Sequence, residues 1–477
     1  MAYFNWIILS IYLLTLVGAT IAVLLDNRQP AKTVAWVMVL IFLPVLGLIL
    51  FFFFGQNTHK ERIISQQSLD EISIHSMLEF IEQKSLRLPE RYIPLIKLFI
   101  NQNFALPFKD YEVDIKVNGY AFFQHLLGDM MQAKHSIHLC TYIFSDDALG
   151  RLVADILIEK AREGVEVRVI YDDVGSWRTS SRFFSRLKEA GVEVYPFLPV
   201  RFPAFTSKIN YRNHRKICVI DGTIGYIGGM NIANRYIKGT AKSAWRDTHL
   251  RLSGSVVSGL QRAFFVDWYF VSRQLITDPK YYPQAQVTPT TDDTRAVAQV
   301  VTSNPVAEWP VIMQGYIRAI SEASRYVYIE SPYFLPSDSV MFALTTAAQA
   351  GIDVRLMVPL HSDAKLVEWA SSAYLSQAAE AGVNVYFYTA GFNHSKLLII
   401  DDTLCSCGST NVDFRSFENN CEANVFFYDS DMAQRMKQLF DDDLQHCATF
   451  EEVGHRFRRP FIERLWESFV RLLAPLL

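Results

Sequence analysis

The chain has 477 residues, half of them hydrophobic and a fifth charged, with a formal net charge of −3 and a mean hydropathy of +0.11. That length allows two ordinary domains or one large pseudo-symmetric body, and the apolar excess points to a surface that meets lipid. The near-neutral charge excludes a global pull toward nucleic acid, so any site for a polyanion must be local.

In chain order, residues 4–25 and 33–54 are uncharged runs, each of the length a spanning helix needs. The start lacks a basic n-region and the run is too long for a cleaved signal peptide. Residues 26–32 allow only a tight turn, so the expectation for 1–58 is a two-helix transmembrane hairpin. Arg28 and Lys32 in the turn nearly balance Lys60, Arg62, Lys84 and Arg87 beyond it, and the later basic residues put the body on the cytoplasmic side. Residues 59–110 read as a linker with a juxtamembrane helix, Ile72, Ile74, Met77, Leu78 and Ile81 lying at helical spacing.

From Lys116 onward helical patterns alternate with short β-branched runs, which predicts an α/β body. A strand at 136–144, a helix at 147–163 ending on Gly164, a strand at 165–171, a helix at 180–190 ending on Gly191 and a strand at 192–195 form one series. The series returns as 326–330, 340–350 before Gly351, 352–358, 366–380 before Gly382, and 383–386. The expected fold class is therefore α/β, two pseudo-symmetric halves with mixed β-sheets, over 111–295 and 296–450. Residues 451–477, with Arg456, Arg458 and Arg459 near the start, read as an amphipathic helix for an anionic bilayer surface. Six cysteines, at 140, 218, 405, 407, 421 and 447, are too irregular for a disulfide framework or a zinc site and read as reduced thiols.

The repeat carries chemistry. Asn213-His214-Arg215-Lys216 and Asn393-His394-Ser395-Lys396 both continue through four apolar residues to an Asp, at 221 and 401. Gly228-Gly229-x-Asn231 follows the first copy and Gly408-Ser409-x-Asn411 the second, at the same offset. The candidate catalytic set is His214, Lys216, Asp221, His394, Lys396 and Asp401, with Asn231, Asn411, Ser409 and Gly229 as phosphate-binding support. Each His and Lys, two apart on a strand, projects to one side. Asp221 and Asp401 fall where the strand turns and look more structural than catalytic.

Two imidazoles, two ammoniums and two amides suit a phosphate diester. One imidazole attacks phosphorus, the other protonates the leaving alkoxide, and the cations hold the non-bridging oxygens. No metal or other cofactor is called for. The glycines are expected to let the backbone come close to the phosphate. The carboxylate doublets Asp146-Asp147, Asp172-Asp173 and Asp401-Asp402 and the triplet 441–443 read as solvated or capping residues.

The duplicated His-x-Lys-x4-Asp motif resembles the signature of the phospholipase D superfamily. The strings Asn210-Tyr-Arg-Asn-His-Arg-Lys216, Trp245-Arg-Asp-Thr-His249, Ser331-Pro-Tyr-Phe334 and 408–417 are similar to bacterial cardiolipin synthases. The resemblance implies an enzyme of the bacterial inner membrane, multi-pass, that joins two phosphatidylglycerol molecules through a phosphatidyl-histidine and releases glycerol. It also implies His214 as nucleophile and His394 as acid, then base. A carboxylate that orients a histidine maps to Glu422 in the second half. Lys242 occupies the matching offset in the first half, so Asp247 stands in. Arg201, Lys208, Arg212 and Arg215 are expected to gather anionic lipid, with Phe202, Phe205 and Trp177 dipping into the interface. Asn393, Ser395 and Ser255 depart from the family's usual residues. A hydrolytic phospholipase D, a phosphatidylserine synthase, a nuclease and an inactive lipid-binding scaffold are the competing readings. Phosphatidylglycerol and an anionic bilayer are the expected partners and nucleic acid is not; nothing in the sequence sets an oligomeric state.

Overall fold

A computed structural model describes residues 2–25, 30–51, 88–200, 210–239, 243–283 and 296–453, with Leu465, Trp466 and Val470. The chain divides into two compact units, Met1–Arg62 with Val200–Tyr211, and Ile63–Pro199 with Arg212–Leu477.

In the smaller unit, α1 (Ala2–Leu25) is followed by α2 (Pro30–Phe42) and α3 (Pro44–Leu50). The expected second span is broken. Pro44 has no N–H and disfavours helical geometry in the residue before it, and Leu43 sits at φ −126°, ψ 65°. Side chains of α1 are described without a break only from Tyr12 to Leu24. Among the described residues no helix is long and apolar enough to cross a membrane, so the hairpin of two spanning helices is not borne out. The helix expected at 72–81, the turn at 26–29, Arg201, Phe202, Phe205 and Lys208 lie outside the described residues, as does nearly all of 454–477.

The larger unit holds two mixed sheets built to one plan. The first-half strands are β1 (Pro107–Phe108), β2 (Tyr111–Lys116), β3 (Ser136–Thr141), β4 (Glu166–Asp172), β5 (Glu193–Phe197), β6 (Arg212–Asn213), β7 (Ile217–Ile220), β8 (Ile224–Gly228), β9 (Trp245–Arg246) and β10 (His249–Gly254). The second half supplies β11 (Val297–Ser303), β12 (Tyr326–Glu330), β13 (Phe334–Leu335), β14 (Asp353–Pro359), β15 (Asn384–Tyr388), β16 (Phe392–Asn393), β17 (Leu397–Ile400), β18 (Leu404–Gly408), β19 (Val412–Asp413), β20 (Asn420–Tyr428) and β21 (Cys447–Thr449).

One sheet runs β2-β10-β8-β7-β3-β4-β5. The other contains β11-β20-β18-β17-β12-β14-β15, with β1 and β21 added at its edges. In both, the first five strands of that order are antiparallel and the last two pairings parallel.

Helices Val257–Ser272 and Ser430–Leu444 lie in a central apolar core that both sheets share: Leu260, Phe264 and Trp268 meet Val219 and Leu250 there, and Met436 and Phe440 meet Ile399 and Phe427. Outer helices cover the remaining faces, so β17 is buried at every position and its sequence is an unbroken apolar run, not an alternation. Several outer helices start on a side-chain cap. Asp147 accepts from Gly150 N, Ser180 from Phe183 N and Ser337 from Val340 N, and Gly164 and Gly351 follow their helices at φ +92° and +88°.

Part of the expected linker is core. Helix Ile93–Asn103 buries Leu95, Ile96 and Phe99 against the second half, a gain of roughly 1.5–3 kcal/mol for each side chain. Trp177 is exposed. Arg212 and Arg215 are 2% exposed; Arg212 lies 3.6 Å from Asp172 and Arg215 pairs with Asp267, so neither reaches outward to lipid. All six cysteines are free thiols, five of them buried.

The motif aspartates are scaffolding, away from the histidines. Asp221 accepts from the backbone N–H groups of Lys134, His135 and Ser136 at 2.7–2.9 Å. Asp401 accepts from those of Ser324, Arg325 and Tyr326 at 2.7–2.9 Å, and from Arg91. Both sit at φ +53°, closing the hairpin after the motif strand while tying it to the start of β3 or β12. Asp401→Ala is expected to lower stability by on the order of 3 kcal/mol, since several donors lose their acceptor, and to leave turnover per folded molecule intact. Burial raises the Asp401 carboxyl, but its hydrogen bonds outweigh that and hold it at about 2. A folded pKa below the unfolded value of about 4 stabilises at neutral pH, and that stabilisation is lost as pH falls through the folded value. The gap in melting temperature between wild type and variant should therefore close in acid.

Candidate active site

Two short seams assemble the site. In one, β6 pairs in parallel with the start of β20, Arg212 opposite Asn420 and Asn213 opposite Cys421, and the next N–H, that of His214, donates to Cys421 O at 2.9 Å. In the other, β9 pairs in parallel with β16, Trp245 opposite Phe392 and Arg246 opposite Asn393, and His394 N donates to Arg246 O at 2.7 Å. Each motif histidine therefore leaves its own half and docks on a strand of the other. Asn213 and Asn393 shape the turn identically, each accepting through Oδ1 from the N–H two residues on.

The docking crosses the carboxylates. His214 Nδ1 lies 3.0 and 3.2 Å from the two oxygens of Glu422, and His394 Nδ1 lies 2.7 Å from Asp247 Oδ2. Sequence spacing assigned Asp247 to the first half and Glu422 to the second; in space each serves the histidine of the opposite half. An ionised carboxylate only accepts, so Nδ1 carries the proton and Nε2 is left for chemistry.

Both lysines extend alike, Lys216 Nζ donating to His214 O and Lys396 Nζ to His394 O. Among the described residues there is no cluster of His, Cys, Asp and Glu suited to a metal.

The supporting residues are also tied into the protein itself. Gly229 and Gly408 do not leave room for a phosphate. A Cβ on Gly229 would stand 2.1 Å from Asp247 Oδ1, and one on Gly408 would stand 2.2 Å from Ala423 O, so the missing side chains admit the orienting strands. Ser409 Oγ donates to Glu422 Oε2 and accepts from Ala423 N at 3.0 Å, which holds the carboxylate. Asn231 donates to the Tyr236 hydroxyl and accepts from Ile143 N at 3.0 Å, and Asn411 donates to Asp413 at 3.0 Å. Each amide has a second N–H, so a donor remains on both. Asp172 and Asp443, two of the acidic residues read as capping, are buried; Asp172 accepts from Val174, Gly175 and Asn213 N, and Asp443 pairs with Arg246 at 2.7 Å.

Sequence reasoning missed the rings around the histidines. Trp245, Phe392, Tyr236 and Tyr333 lie 5.2–6.4 Å from the His394 ring, centre to centre, and Tyr142 lies 5.0 Å from that of His214. Three of these sit in or beside quoted motifs, and their aromatic character was the available signal. They keep the site dry, and that dryness controls its charge.

Burial lowers the pKa of both histidines, and the neighbouring cations Lys396 and Lys216 push His394 further down, well below the ordinary value. Burial pulls Lys216 to about 7 and Lys396 to about 8. For Glu422, burial acts upward but His214 and Lys216 outweigh it, and the carboxyl is held low; for Asp247 burial wins and the carboxyl rises. With neutral imidazoles and marginal ammoniums, kcat/KM should fall as pH rises from about 7 to 8, because the lysines of the free enzyme lose the protons that attract an anion. A pH–rate profile flat from 7 to 9 would contradict these assignments.

A family model described as "Cardiolipin synthase, PLD-like domain" matches residues 126–258 and 316–444, and one described as "Phospholipase_D-nuclease N-terminal" matches 6–56. The chain is 40% identical over 471 residues to cardiolipin synthase 2 of Bacillus cereus, covering 97% of this chain and 90% of that protein. It is 38% identical over 489 residues to the major cardiolipin synthase ClsA of Bacillus subtilis, covering 99% of each. The crystal structure of phosphatidylserine synthase from Haemophilus influenzae shares the fold, with a TM-score of 0.63 at 13% identity over 80% of this chain and 99% of that one. The repeated sheet plan and identity sustained along both halves lead to one assignment: the chain belongs to the cardiolipin synthase family of phospholipase D-like proteins.

Proposed function

We propose that the protein is a phosphatidyltransferase that makes cardiolipin and glycerol from two molecules of phosphatidylglycerol. The observation that carries this reading is the pair of crossed His–carboxylate contacts, with a lysine beside each histidine, in a chain whose relatives of matching length are cardiolipin synthases. His214 Nε2 attacks the diester phosphorus, the P–O bond to glycerol breaks, and His394 gives its proton to the departing oxygen. The hydroxyl of the second phosphatidylglycerol then attacks, His394 takes its proton, and the P–N bond breaks. Burial first, and then the cations Lys396 and Lys216, keep His394 neutral; an anion held by those lysines offsets the cationic part, so the substrate itself favours the protonated acid. The lysines and the free N–H of Asn231 and Asn411 hold the non-bridging oxygens.

The amino-terminal unit attaches the enzyme to its lipid. Leu14, Val17 and Leu24 of α1 and Val34, Ile41 and Phe42 of α2 are each more than half exposed, an apolar surface suited to acyl chains.

The test is purified full-length protein in detergent with labelled phosphatidylglycerol, with and without a chelator. Cardiolipin and glycerol in equal amounts, unaffected by the chelator, are expected. Phosphatidate alone would replace this reading with a hydrolase, and loss of activity on chelation would refute a metal-free site.

A further inference from the structure

The two seams follow one plan with a single exchange in it. Between His214 and Lys216 stands Arg215; between His394 and Lys396 stands Ser395. Before Asp247 stands Arg246; before Glu422 stands Cys421. At these two positions each seam thus holds one arginine and one small residue, but the arginine comes from the motif strand in one and from the carboxylate strand in the other.

Their surroundings correspond. Arg215 donates to Glu422 O at 3.0 Å and Ser303 O at 2.8 Å, and pairs with Asp267 of helix Val257–Ser272. Arg246 donates to Ser395 Oγ at 3.1 Å, Thr248 Oγ1 at 2.9 Å and Val117 O at 3.3 Å, and pairs with Asp443 of helix Ser430–Leu444 at 2.7 Å. Ser303 ends β11 and Val117 follows β2, the strand at the corresponding place in the other sheet. Helix Val257–Ser272 follows β10 and helix Ser430–Leu444 follows β20. Each guanidinium therefore joins a central-helix aspartate of one half to a sheet-end carbonyl of the other.

We propose that Arg215 and Arg246 are equivalent positioning residues, supplied from opposite sides of two symmetry-related seams, each fixing the register that brings a histidine onto the other half's carboxylate. A bare structural role explains less. A buried ion pair contributes little net stability and is better suited to specifying one arrangement. Strands of two residues cannot hold register unaided, and a slip of one residue would turn the histidine to the opposite face. Cys421 stands opposite Asn213 across the seam, one residue before Glu422, whose carbonyl Arg215 reaches, so an arginine at 421 starts beside the space that Arg215 now fills.

The assay rests on the proposed function; the inference itself concerns whether transposing the arginine restores what removing it destroys. The full-length variants are R215S, R215S/C421R, R246C and R246C/S395R, measured with phosphatidylglycerol in detergent and by thermal melting. The expected result is that each single variant loses about 100-fold in kcat, the scale for residues that orient a reacting group, with KM little changed and the pH profile of kcat displaced. Each transposed double should regain at least about tenfold of that loss and the wild-type pH profile. A single variant with unchanged kcat and pH profile overturns the proposal. So does a transposed double that melts like wild type and works no better than its single, and so do doubles that are as unfolded as the singles. If wild type itself makes no cardiolipin, the functional reading fails separately, and the melting temperatures decide: each transposed double melting above the arginine-deleted single it repairs supports the seam, and any other order refutes it.

Discussion

His214→Ala and His394→Ala are each expected to reduce cardiolipin formation by roughly 10⁴-fold or more, and the double variant by scarcely more than either single, because residues that act as one unit are not additive. The two singles should nonetheless differ in what they accumulate. Without the nucleophile no phosphatidyl-enzyme forms. Without the acid, a donor whose leaving group needs no proton can still load the enzyme. Incubation with an activated phosphatidyl ester, followed by rapid quench and mass measurement of the intact chain, reads this directly. Lipid mass on His394→Ala alone supports His214 as nucleophile; mass on His214→Ala alone reverses the order, and full activity in both would end the two-histidine mechanism.

Glu422→Gln and Asp247→Asn carry the next largest effect. Each replaces an acceptor-only carboxylate by an amide that can also donate to Nδ1, so the tautomer of a histidine in the other half is no longer fixed, and loss of such an orienting carboxylate lowers kcat by about 10⁴-fold in a well-studied triad. The crossed contacts make a sharper statement. Glu422→Gln should alter the step that uses His214, and Asp247→Asn the step that uses His394, so the loading assay should show the two defects at different stages. If Glu422→Gln left loading untouched and slowed only transfer to the second lipid, the cross-half assignment of roles would be wrong.

Much of this body was legible beforehand, because the signals were local. The glycines after the helices and the apolar runs 217–220 and 397–400 placed most of the elements to within a residue or two. The repeat gave the two halves, and the strand turn gave the scaffolding role of Asp221 and Asp401. What escaped was non-local. Equal offsets invite a pairing within each half, and only the parallel seams of β6 with β20 and β9 with β16 reveal that the carboxylates cross. The register of helix Ile93–Asn103 was present in Leu95, Ile96 and Phe99, but the polar stretch before it disguised the start of the body. The amino-terminal runs were judged by length and lack of charge, and Pro44 divided the second of them. Glycine beside a phosphate-binding motif suggested space for ligand, whereas the space at Gly229 belongs to a carboxylate.

The crossing has a consequence for how such a molecule can be divided. A single half cut from it would carry an imidazole with no carboxylate at its back, and a carboxylate with nothing to orient. Its exposed two-residue strands would be complementary to those of an identical copy, through a true twofold axis. Two such copies would regenerate both contacts, with one kind of histidine in place of two. Fusion into one chain is what frees the sites to diverge: Glu422 and Asp247, Arg215 and Ser395, are differences that no symmetric dimer could hold.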